Sequence, residues 1–87
     1  MMRPHVVRVR FSAEPTVTQK QAGELWAIGN EFGRFGAGVF RWEAECKAHT
    51  PQHALEWAEN RVRSVLGEAA RIEWHGMCAE RVQGFDR

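Results

Sequence analysis

FRWEAECKAHTPQHALEWAENRVRSVLGEAARIEW, residues 40–74, reads as strand, capped helix, strand. Thr50 is placed to cap the helix, Pro51 follows at its first position, and Gly67 stands where a C-terminal cap residue is wanted. Between them, Ala54, Leu55, Ala58, Val62, Val65 and Leu66 recur at spacings of three and four, so one face of the helix must be buried. The flanking segments alternate with period two. Phe40, Trp42, Ala44, Cys46 and Ala48 share one face, and Arg41, Glu43, Glu45 and Lys47 the other; Ala70, Ile72 and Trp74 likewise alternate with Arg71, Glu73 and His75. Each strand therefore has a wet side and a dry side.

Working outward toward the N-terminus, Val7, Val9 and Phe11 alternate with Val6, Arg8 and Arg10, which predicts another strand. Thr16 and Thr18 each have Gln three residues later, the spacing of a capping box, so a helix is expected to open there and run to about Phe32. Its stripe is Ala22, Leu25, Trp26, Gly29 and Phe32. Gly23 and Gly29 weaken such a helix by roughly 1 kcal/mol each relative to Ala, unless a neighbour packs closely against them. Gly33 reads as the C-cap, and residues 33–38 as a flexible lead into the next strand. Residues 77–83 are an extension of the last strand or a further one.

The expected fold is thus a two-layer α/β sandwich of 87 residues, one domain, in the order βαβαβ, with a sheet of three or four strands. All the strands carry charge on their outward side, so both helices belong on one face. Strand order stays open. A ferredoxin-like plait also puts two helices on one face, but needs two antiparallel strands between them, where residues 37–48 read as one.

Composition excludes several function classes. With 12 Lys and Arg against 11 Asp and Glu, the net charge of +1 provides no overall field toward nucleic acid or anionic lipid. No stretch is long and apolar enough to span a membrane, and the N-terminus has no apolar signal-peptide core, so a cytoplasmic protein is expected. The two cysteines, Cys46 and Cys78, are far apart and have inward parity, which predicts small reduced core residues without a disulfide. The Arg-rich, Tyr-free composition suggests a GC-rich source, an actinobacterium or one of its phages.

No chemistry is announced. The glycines Gly33, Gly36 and Gly38 follow a helix and open a strand, the reverse of a phosphate-binding loop. Residues 34–42, RFGAGVFRW, resemble the aromatic RNA-binding strand of the RRM fold, yet Phe40 and Trp42 share the face of Ala44 and Cys46, and the other face shows Glu43 and Glu45. His49 and His53 are separated by the helix start, so no metal site is expected; nor is a cofactor, and no Ser-His-Asp or paired-carboxylate pattern exists.

Subtraction leaves a non-enzymatic protein–protein interaction module that self-associates, since the edges of so small a sheet invite pairing. Its candidate contact residues are Trp57, beside the buried stripe with Arg61 one turn on, and Phe35 with Arg34 in the glycine segment. Two alternatives remain from the same residues: a nucleic-acid accessory protein using Arg34, Arg41, Arg61 and Arg63, and a small-molecule sensor or enzyme with its site between subunits.

Overall fold

The computed structural model describes residues 1–83. Six elements follow in the order βαββαβ: β1 (Arg3–Glu14), α1 (Gln19–Ile28), β2 (Glu31–Gly36), β3 (Val39–Ala48), α2 (Pro51–Leu66) and β4 (Arg71–Arg81). The sheet runs β2-β3-β1-β4, and every neighbouring pair is antiparallel. This is a two-layer α+β sandwich with the element order that a ferredoxin-like plait requires. The expected βαβαβ order is corrected by one strand, β2, which lies where the helix tail and its glycine cap were anticipated.

The strand faces match the alternation in the sequence. Val7, Val9, Phe11, Phe40, Trp42 and Ala44 form the sheet side of the core, and Leu25, Ala54, Ala58 and Val62 the helical side. Arg8 and Glu43 lie on the open face, within 3.6 Å of each other across strands. Opposite charges face each other at that pair, whereas the next open-face pair of β1 and β3, Arg10 and Arg41, is like-charged.

Both helices begin as their residues dictate. Thr18 and Gln21 close a capping box, in which the Gln21 N–H donates to the Thr18 hydroxyl (3.1 Å) and the Thr18 N–H donates to the Gln21 side-chain Oε1 (2.9 Å). At α2 the His53 N–H donates to the Thr50 hydroxyl at 3.1 Å, and Gly67 ends the helix at φ +94°, a conformation other residues rarely adopt. Thr50→Ala is expected to cost about 1 kcal/mol, because it orphans one N-terminal donor; a urea melt checks this as a lowered midpoint with unchanged slope.

α1 is shorter than its apolar stripe suggests. It stops at Ile28, where Gly29 turns extended and packs against the pyrrole edge of the Trp42 indole: a Cβ there would meet Trp42 Nε1 at 2.3 Å and the Glu43 carbonyl at 2.8 Å. Of the two helical glycines, Gly29 is the one that answers to close packing; nothing lies within 4 Å of a Cβ at Gly23. The next residue joins the sheet, the Asn30 N–H donating to the Glu43 carbonyl at 2.7 Å. β2 then returns beside β3 through Ala37 and Gly38, with Gly38 at φ +74° making the reversal.

Candidate functional site

Placing the candidate residues begins with the aromatics. Trp57 is half-buried and stacks on Trp42, ring centroids 5.9 Å apart, so it closes the rim of the core. Arg61 lies over its outer side, 5.8 Å from the ring centroid. Phe35 is 51% exposed and sits at the irregularity of β2 on the open sheet face, under the Arg10 guanidinium at 4.8 Å. Arg34 points the other way, 5.8 Å from the Phe40 ring on the core side. Phe35 and Trp57 therefore belong to different layers and do not form the single contact surface anticipated from sequence.

The four arginines of the nucleic-acid reading are scattered as well. Arg41 is on the open face, 3.6 Å from Glu31. Arg63 is engaged inside the fold, donating to the carbonyls of Ala70 (2.6 Å) and Gly67 (3.5 Å), where it holds the end of α2 against the start of β4. It is not the surface partner of Glu59 that helical spacing suggests.

Trp26 reverses its expected role. Assigned by periodicity to the buried stripe of α1, it is 57% exposed, and Leu25 is the residue of that helix buried in the core. The stripe was set by assuming the helix continued to Phe32; once Gly29 ends it, Phe32 is placed by β2, where it stacks on Phe40 at 5.6 Å.

A parity change in β4 moves a second residue. Phe11 lies opposite Trp74, but Arg10 lies opposite Gly76, so His75 is an extra residue bulged out of the ladder. Its Nε2 lies 2.9 Å from the Ser12 hydroxyl on the open face. Beyond the bulge the faces exchange, so Met77 and Ala79 turn to the core, and Cys78 turns outward opposite Arg8. Cys78 is exposed, a correction to its expected burial, whereas Cys46 is half-buried against the core as anticipated. Burial, with the Glu45 carboxylate adding to it, pushes the Cys46 thiol above its ordinary value and keeps it protonated.

The open face can now be read row by row. One row crosses all four strands as Gly33, Arg41, Arg10, Gly76, and the next contains Glu31, Glu43, Arg8 and Cys78. Arg8 lies 3.6 Å from Glu43 and 3.5 Å from Glu80. A hydrogen bond to Cys78 and these two carboxylates hold its guanidinium above the usual arginine value. Among the described residues Arg10 makes no ion pair.

The sheet edges differ. β2 is six residues long and carries an irregularity before Gly36, the kind of short, kinked edge that resists pairing. β4 is 11 residues long and contains neither Pro nor Lys; it carries the bulge at His75, and among the described residues it bonds only to β1. Its core-facing row, Ile72, Trp74, Met77 and Ala79, is half-buried throughout, while Val7, Val9 and Phe11 beside it are fully buried.

His5 was passed over in the sequence because it precedes the obvious apolar run. It lies in the core-facing register of β1 and is buried, its Nδ1–H donating to the Arg3 carbonyl at 2.8 Å. The period-two count extended back from Val7 is the signal that finds it. No group of three or more metal-ligating side chains gathers among the described residues, and none of their helices is long and apolar enough to cross a membrane. Comparison of the chain with protein-family models, with curated proteins and with solved structures finds no match.

Proposed function

We propose that this protein is a non-enzymatic interaction module that self-associates through the free edge of β4, joining two sheets into one. The observation that carries the reading is the parity change at His75. In an unbulged strand, two copies paired antiparallel keep like faces together only when paired residue numbers sum to an even value. The bulge reverses that rule between the two halves of β4. A two-fold axis between His75 and Gly76 then sets Ile72 against Ala79 and Trp74 against Met77 of the second copy on the core side. On the open side it sets Arg71 against Glu80.

This register does two things at once. The half-buried row of β4 gains apolar neighbours from an identical row, and the Arg71–Glu80 contact occurs twice per dimer, since the axis repeats it. Moving the axis toward the C-terminus by one residue would set Glu73 against Glu80 and place core-facing residues opposite open-face ones near the axis. An isologous edge pairing of this kind supports self-association without any reactive group.

The experiment is a charge swap read by light scattering after size exclusion. Arg71→Glu alone, or Glu80→Arg alone, is expected to weaken the dimer by roughly tenfold, as two cross-strand pairs at about 0.2–1 kcal/mol each become repulsive. Arg71→Glu with Glu80→Arg restores it. A wild-type chain that stays monomeric at all concentrations, or a double variant no better than the singles, overturns the proposal.

A further inference from the structure

The open sheet face holds a groove of about 420 Å³, separate from the core and lined by Arg8, Arg10, Arg41, Phe35, Gly76 and Cys78. That volume lies within the range of small-molecule sites. Among the described residues three guanidinium groups reach it and no carboxylate lines it; Glu31, Glu43 and Glu80 neutralise Arg41 and Arg8 from outside. Arg10 and Arg41 are direct cross-strand partners, a like-charged pairing that disfavours the sheet unless an anion lies between them. Arg10 is the uncompensated member.

Local structure holds that cation in place. Its guanidinium lies over Phe35, and it occupies the space above Gly76 that any side chain would fill: a Cβ there would lie 2.6 Å from the Arg10 Nη2. Phe35, half-exposed, offers the remaining ring surface beside this charge.

The geometry points to a binding site for a small aromatic oxyanion, whose planar ring stacks on Phe35 while its carboxylate or phosphate bridges Arg10 and Arg41. The guanidinium fork matches either oxyanion in a bidentate manner, and ring-on-ring stacking selects a planar group over a bare ion. Gly76 and Cys78 bring β4 into the groove through its open face, whereas the edge pairing uses the outward backbone groups of the same strand.

Amide chemical-shift titration of the protein tests it with two probes, phenylacetate and adenosine monophosphate, against acetate, inorganic phosphate and a short single-stranded oligonucleotide. Expected are shifts at Arg10, Arg41 and Gly76 with at least one aromatic probe, which one identifying the preferred oxyanion, and binding at least fivefold weaker for the ring-free ion. Arg10→Gln and Phe35→Ala, both exposed positions, are each expected to weaken that binding roughly tenfold while leaving the remaining spectrum in place. The inference is overturned by an absence of shifts with both aromatic probes, by equal binding of the ring-free ions, by oligonucleotide binding tighter than either probe, or by variants that bind as the wild type does.

Discussion

Trp42→Ala is expected to lower stability by about 3–5 kcal/mol, the range for deleting a buried aromatic side chain. Trp42 is fully buried, it is the largest side chain of the core, and three different elements meet on it. Trp57 of α2 stacks on one side, Gly29 after α1 lies against its pyrrole edge, and its own strand pairs with β1 and β2. Its Nε1–H also donates to the Leu25 carbonyl at 2.8 Å, in a buried position at the end of α1. Removal therefore opens a cavity and orphans a helix carbonyl together.

Trp42→Phe separates those contributions. The ring volume is largely kept, and the orphaned Leu25 carbonyl remains, at about 1–3 kcal/mol. For a domain of this size, each 1 kcal/mol corresponds to a shift in melting temperature of roughly 4–8 °C. Calorimetry on both variants checks the ordering: alanine well below phenylalanine, and phenylalanine below the parent. A phenylalanine variant that melts with the parent would remove the carbonyl from the account.

Gly29→Ala is expected to cost about 3 kcal/mol, the upper part of the range for overpacking. The reason is contact, not backbone freedom, since Gly29 has φ −126°, open to any residue. A methyl group at this position would stand 2.3 Å from Trp42 Nε1, 2.9 Å from Trp42 Cε2 and 2.8 Å from the Glu43 carbonyl. The indole cannot retreat, because Trp57 lies behind it and the Leu25 carbonyl holds its N–H. Gly23→Ala is the control: inside α1, with open space around it, it is expected to stabilise the helix by roughly 1 kcal/mol. If the two substitutions shift the denaturation midpoint equally, close packing at Gly29 is not what selects glycine.

The same contact explains why β2 was hidden. Residues 31–36, EFGRFG, have two glycines and a single buried-side aromatic pair partner, so neither propensity nor alternation marks a strand. Apolar spacing from Ala22 to Phe32 instead extends the helix. What makes β2 a strand is the ladder offered by β3, and what leads the chain to it is the extended turn at Gly29, packed against Trp42. Both are contacts between residues distant in sequence.

Exposure was misassigned for a related reason. Trp26 sits on an amphipathic helix, and periodicity carried on to Phe32 puts it in the buried stripe, but the end of α1 at Ile28 leaves it exposed. Cys78 follows the alternation of Ile72 and Trp74 until one inserted residue, His75, exchanges the faces. A bulge is a property of the pair of strands, and a count along one of them does not contain it.

By itself, the order of the amino acids determined which sides of β1, β3 and the first half of β4 are dry, where α2 begins, that α1 opens at Thr16 or Thr18, and that both helices cover one face; these are local matters of period and capping, decided within a few residues. Only the tertiary structure decided that α1 stops at Ile28, that a fourth strand lies at 31–36, and that Arg8, Arg10, Arg41, Phe35 and Cys78 share one groove. Those outcomes depend on which strand lies beside which and in what register, and register is settled by the fit of whole faces, not by any segment alone.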